Sequence, residues 1–80
     1  MTLKEAIVTR IRELCEEKGF NPHSLSIYCG IDNTTIYSVL GSKSQDPQIS
    51  TIKKICDGLE ITLGAFFSSP LFDTLEQEIK

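Results

Sequence analysis

The sequence predicts an all-α fold, and three observations carry that expectation. Apolar residues recur at three- and four-residue spacing along successive stretches. Helix-start signals stand ahead of those stretches at Thr2, Asn21-Pro22, Asp32, Thr62 and Ser69-Pro70. Gly and Pro are kept to the apparent boundaries. With 80 residues the chain makes one small domain, with no room for a separate catalytic domain. Nothing after Met1-Thr2-Leu3 forms a long apolar run, so neither a signal peptide nor a membrane span is expected, and the expected location is the cytosol.

Helix one is announced by Thr2-Leu3-Lys4-Glu5, a capping box that pairs two amides otherwise left without acceptors. Leu3, Ile7, Ile11, Leu14 and Cys15 follow as one apolar stripe, with Arg10, Glu13 and Glu17 on the wet side. Gly19 stops the helix, and Phe20 folds back on Cys15. This helix is scaffold for what comes next.

The organising stretch is Asn21 to Leu40, two short helices joined at Gly30. Asn21 is a good N-cap and Pro22 suits the first helical position, where its fixed φ fits and its missing N–H costs nothing. The helix should end near Cys29, with Gly30 in the left-handed conformation, and Asp32 should cap the next helix, Asn33 to Leu40. Helices joined by so short a turn cross steeply and need a small residue at the crossing. Ser26 stands there, and its hydroxyl needs a carbonyl one turn earlier. Tyr28 is expected in the core and Ile27 outside it.

On the second of these helices, Ile36, Val39 and Leu40 gather on one side, while Thr34, Tyr37, Ser38 and Gly41 fall opposite. Asn33, in the first turn, points along the axis. A buried aliphatic face thus backs an exposed face of Asn, Thr, Tyr and Ser, side chains suited to base edges in a DNA major groove. Asn33 and Ser38 lead as base readers; Tyr37 suits a thymine methyl or a sugar.

Ser42 to Pro47 is polar and reads as a loop. A fourth helix, starting near Ser50, carries Ile52, Ile55, Cys56 and Leu59 inward and Lys53, Lys54 and Asp57 outward. Gly58 inside it costs about 1 kcal/mol relative to Ala, which points to a close neighbour or an early finish. Thr62 caps a short fifth helix, Leu63 to Phe67. Adjacent Phe66 and Phe67 cannot both face one core, so one lies at an interface or under the tail. Ser69-Pro70 opens a further candidate helix with Leu71, Leu75 and Ile79 on one side. So short a helix must dock on its own domain or on a second copy, or fray.

The stretch NPHSLSIYCGIDNTTIYSVL, continued by DPQISTIKKICDGLEITLGAFF, resembles the phage-repressor or XRE/Cro helix-turn-helix family over roughly Leu3 to Phe67. Gly30, Ile31, Thr35-Ile36, Asp46-Pro47 and the ladder of Ile52, Ile55, Leu59 and Ile61 ending in Phe66-Phe67 carry the likeness. It implies a five-helix repressor-type domain over residues 1–68, with residues 69–80 added as an amphipathic helix or tail. It also implies sequence-specific binding of double-stranded DNA, as a homodimer, to control transcription. On this likeness Asn33, Thr34, Tyr37 and Ser38 read bases. Asn21, His23, Ser42, Lys43, Ser44 and Gln45 stand at the phosphates. The sequence departs from the family at Ser26, where Ala is most frequent, at Pro22, which removes an amide, and at Gly41-Ser42, where Asn-Gly is common.

A formal charge of −3 opposes a nucleic-acid role, because such binding draws on Lys and Arg to displace counterions. The acids, however, lie largely elsewhere, at Glu13, Glu16, Glu17, Asp73, Glu76 and Glu78, and residues 21–45 carry only His23, Asp32 and Lys43 as charged or titrating side chains besides tyrosine and cysteine. Weak non-specific affinity and a shallow salt dependence follow. Cys15, Cys29 and Cys56 form no C-x-x-C pair and one histidine cannot complete a zinc set, so buried free thiols are expected and no cofactor. No nucleophile and base pair or phosphate loop shares a face, so enzyme activity is not expected. The rival function is a protein-interaction module on the same fold, an antitoxin-like partner that uses Ile27 and the tail.

Overall fold

A computed structural model describes residues 1–41 and 46–79. Five α-helices are present: α1 Leu3–Lys18, α2 Pro22–Cys29, α3 Asn33–Leu40, α4 Ile49–Leu59 and α5 Leu63–Phe67. No strand occurs among the described residues. The predicted all-α, five-helix architecture is the observed one.

Local chemistry sets the helix ends. Thr2 Oγ1 accepts from the Glu5 amide and Glu5 Oε1 accepts from the Thr2 amide, at 3.2 and 3.0 Å, closing the expected box. At the other end Gly19 is left-handed (φ 80°) and the Phe20 amide donates to the Cys15 carbonyl at 2.8 Å. Asn21 and Ser24 make a second reciprocal box at the start of α2. Gly30 (φ 67°) ends α2 and the Ile31 amide returns to the Ser26 carbonyl at 3.0 Å. Thr62 Oγ1 accepts from the Ala65 amide and starts α5.

Three expectations are corrected. Asp32 stands at the N-cap of α3 but its side chain makes no cap bond. Its backbone (ψ 139°) is less extended than at Thr2, Asn21 and Thr62 (ψ 162°, 171° and 162°), which do cap, and the carboxylate is left in water. Tyr28 is 62% exposed rather than in the core. Leu25, Ser26 and Cys29 fill the inward side of α2, and the ring lies edge-on over Phe20 instead (centroids 5.2 Å apart). Beyond Ser69 the chain forms one 3-10 turn, Pro70–Phe72, and no helix through Ile79. So few residues do not repay helix nucleation, and the apolar side chains dock singly: Phe72 joins Phe66 and Phe67, while Ile79 stays 82% exposed. The tail is held in cis, the Glu76 amide donating to the Met1 carbonyl at 3.2 Å and its carboxylate facing the Met1 ammonium.

The core joins Ile7, Ile11, Leu14 and Cys15 of α1 to Leu25, Ile36 and Val39, and to Ile52, Ile55, Cys56, Leu59 and Phe66. Phe66 is fully buried and Phe67 lies under the tail against Phe72, as adjacency requires. Gly58 marks a close approach of α4 to α2: a Cβ there would stand 2.1 Å from Cys29 Sγ. Arg10 reaches across to donate to the carbonyls of Phe66 and Ala65 (2.7 and 2.8 Å), fixing the end of α5 against α1. Together these contacts hold α2 and α3 as one rigid pair on α1 and α4.

Candidate nucleic-acid interface

The surface in question is built by α3, the turn before it and residues 46–48. Ile36 and Val39 are buried, at 1% and 6% exposure, and anchor the helix from behind. Asn33, Thr34, Tyr37 and Ser38 are all exposed, Tyr37 at 52%. The helical period therefore puts the four predicted readers on the outer side of one rod. Thr35 is half-buried at the edge of that face.

Both ends of the rod are tied to the scaffold. Asn33 Oδ1 accepts from Ser26 Oγ at 3.3 Å, and Ser26 Oγ also donates to the His23 carbonyl at 2.7 Å, the turn-earlier acceptor its sequence position requires. At the far end Lys4 Nζ donates to the Val39 carbonyl, so a cation of α1 meets the negative end of the α3 dipole. Neither link was visible as a local motif, because 7 and 35 residues separate the partners.

Of the predicted phosphate contacts, Asn21 and His23 are exposed at the start of α2. Asn21 Oδ1 is committed to the Ser24 amide (2.8 Å), which leaves its amino group as the donor that faces out. Ser42, Lys43, Ser44 and Gln45 lie outside the described residues. Beside α3 runs an open groove of about 850 Å³, lined by Asp32, Thr34, Thr35, Ser38, Asp46, Gln48, Thr51 and Lys54 among others. Among the described residues its charged lining is two carboxylates, Asp32 and Asp46, and one ammonium, Lys54, which the polar pattern of α3 alone did not reveal.

Beneath the surface the three thiols sit in or against the core. Cys29 is pushed up to about 11, first by desolvation and then by the neighbouring Cys15, and burial raises Cys15 and Cys56 as well. Such thiols stay protonated and poorly nucleophilic at neutral pH. No group of three or more His, Cys, Asp or Glu among the described residues is placed to hold a metal ion, and no described helix is long and apolar enough to cross a membrane.

The geometry has a counterpart among solved structures. The crystal structure of the prophage Lp1 protein 11 superposes with a TM-score of 0.83 at 24% identity, covering 94% of this chain and 99% of that one, a likeness of fold. No curated protein matches the chain in sequence. The family model of the Cro/C1-type helix-turn-helix DNA-binding domain matches residues 10–68, from the middle of α1 to the residue after α5. The chain belongs to the Cro/C1-type helix-turn-helix DNA-binding family.

Proposed function

We propose that the protein is a sequence-specific regulator of transcription that lays α3 in the major groove of double-stranded DNA and represses where its site overlaps a promoter. In this reading Asn33, Thr34, Tyr37 and Ser38 meet base edges, and Asn21, His23 and residues 42–45 meet phosphates. Two copies bind as a homodimer to half-sites about 34 Å apart, or a multiple of that. The protein works in the cytosol, without a cofactor and without enzymatic activity.

The observation that carries the reading is the contrast across α3: two aliphatics buried behind, four hydrogen-bonding side chains exposed in front. Asp32 and Asp46 beside that face set its limits. They oppose phosphate, so non-specific affinity is low and base contacts, together with the doubling of contacts in a dimer, supply occupancy. Selection from a pool of random duplexes tests this directly. Enrichment of a two-fold symmetric sequence is expected.

The second reading, an antitoxin-like protein-interaction module, is favoured by Ile27, which stands 68% exposed on α2. Its other supports are the acidic balance of the chain and an expected docking helix at residues 69–80; the described residues 69–79 form only the single 3-10 turn. Absence of any enriched duplex, with one stoichiometric protein recovered by pull-down, would replace the first reading by the second.

A further inference from the structure

Ser26 is the one buried polar side chain among the described residues, at 2% exposure, so it cannot touch a duplex itself. Any effect it has on recognition runs through its two hydrogen-bond partners. A serine hydroxyl carries one proton. The short contact to the His23 carbonyl (2.7 Å) settles Ser26 within its own helix, and the longer arm of the shared bond (3.3 Å) crosses the turn to Asn33 Oδ1. Asn33 is the first residue of α3 and is exposed. Left alone, such a side chain would sample several χ1 wells and a broad χ2.

We propose that Ser26 is a positioning residue for base recognition, holding the Asn33 amide in the orientation in which it reads adenine. This rests on Asn33 being a base reader, as argued above. Asparagine recognises adenine with both arms at once, donating to N7 and accepting from the N6 amino group. With one lone pair of Oδ1 turned to Ser26, the other remains for the N6 amino group and Nδ2 keeps both protons for N7. The amide therefore meets the base already ordered. Ordering one such side chain in advance is worth about threefold to tenfold in discrimination. An alanine at position 26 would pack in the same space and leave Asn33 unrestrained.

The test uses Ser26→Ala, which removes the hydroxyl at nearly constant volume. Affinities of the wild type, Ser26→Ala, Asn33→Ala and the double variant are measured against the selected duplex and against that duplex with each base pair changed in turn. Ser26→Ala is expected to lower discrimination about threefold to tenfold at the base pair that Asn33→Ala also relaxes, and nowhere else. In the double variant the serine has no further effect. In the free protein, NMR relaxation of the Asn33 side-chain amide shows greater mobility in Ser26→Ala. Unchanged discrimination and unchanged amide mobility would overturn the inference, and so would a uniform loss across all base pairs, which marks a structural role. If the wild type enriches no duplex at all, the DNA reading itself falls, and the inference with it. Enrichment without serine dependence sinks the inference alone.

Discussion

Gly58 is the penultimate residue of α4 and lies against Cys29 of α2, and its replacement by alanine measures how firmly the helix-turn-helix is seated. In an open helix Gly→Ala stabilises by about 1 kcal/mol. Here the added Cβ would stand 2.1 Å from Cys29 Sγ and 3.2 Å from both Cys29 Cα and Cβ. Turning the thiol about χ1 relieves the first contact but not the other two, so α2 and α4 must separate by a few tenths of an ångström. Overpacking of that kind costs about 1–3 kcal/mol. Against a helix gain of up to about 1 kcal/mol, the net is a loss of up to about 2 kcal/mol, and each kcal/mol lowers Tm by about 4–8 °C in a domain of this size. Thermal and urea unfolding of Gly58→Ala, alone and with Cys29→Ala, give the numbers. Cys29→Ala keeps both Cα and Cβ, so it should recover only the part of the cost owed to the displaced thiol and leave the part set by those two atoms. A rise in Tm for the single variant, or full recovery of the cost in the double variant, would refute the packing described for α2 on α4.

Other consequences are equally specific. Glu60 ends α4 in the left-handed region (φ 60°, ψ 41°), which strains a residue with a Cβ, so Glu60→Gly should stabilise by about 0.5–1 kcal/mol in urea unfolding; destabilisation would contradict that cap. The Thr2 amide, and then its hydroxyl, hold the Glu5 carboxyl below its ordinary 4.5. Its contribution to the start of α1 is complete above pH 4.5 and fades as pH falls through the lowered value, and an NMR titration should place the midpoint below 4.5. A midpoint at or above the ordinary value would mean the capping box is open in solution. Asp32 makes no cap bond, so Asp32→Asn should leave Tm unchanged while raising duplex affinity about fivefold at low salt for all sequences alike. A change in base preference instead would place Asp32 among the readers.

What the sequence made legible was local. The box at Thr2, the N-cap at Asn21 and the turns at Gly19 and Gly30 depend on residues three to five apart and formed as read, while the reciprocal bond from Ser24 at Asn21 went unread. The aliphatic side of α3 follows from helical period, and the need for a small residue at Ser26 from the shortness of the turn at Gly30. Gly58 announced a close neighbour or an early finish without saying which, because Cys29 belongs to another helix. Glu60 gave no signal: its left-handed turn is set by Ile61 returning its amide to the Cys56 carbonyl and entering the core, in a place where glycine would have been the clue. Tyr28 was misplaced because amphipathic pattern does not register that two helices in such close contact leave no slot for a ring. The tail was misread for a related reason, since i, i+4, i+8 spacing describes a helix but does not supply the surface that would hold one. In the site, the outward face of α3 was readable and its fastenings were not. The contacts from Ser26 and Lys4 join residues across a turn or far apart in the chain.

The claim that α3 is the part that meets DNA is tested most directly by titrating the labelled protein with its selected duplex and following every backbone and side-chain amide by NMR. The account predicts the largest changes at Asn33, Thr34, Tyr37 and Ser38, with smaller ones at Asn21 and His23 and near silence along α5. Changes centred on Ile27 and the tail, with the outer side of α3 undisturbed, would contradict it.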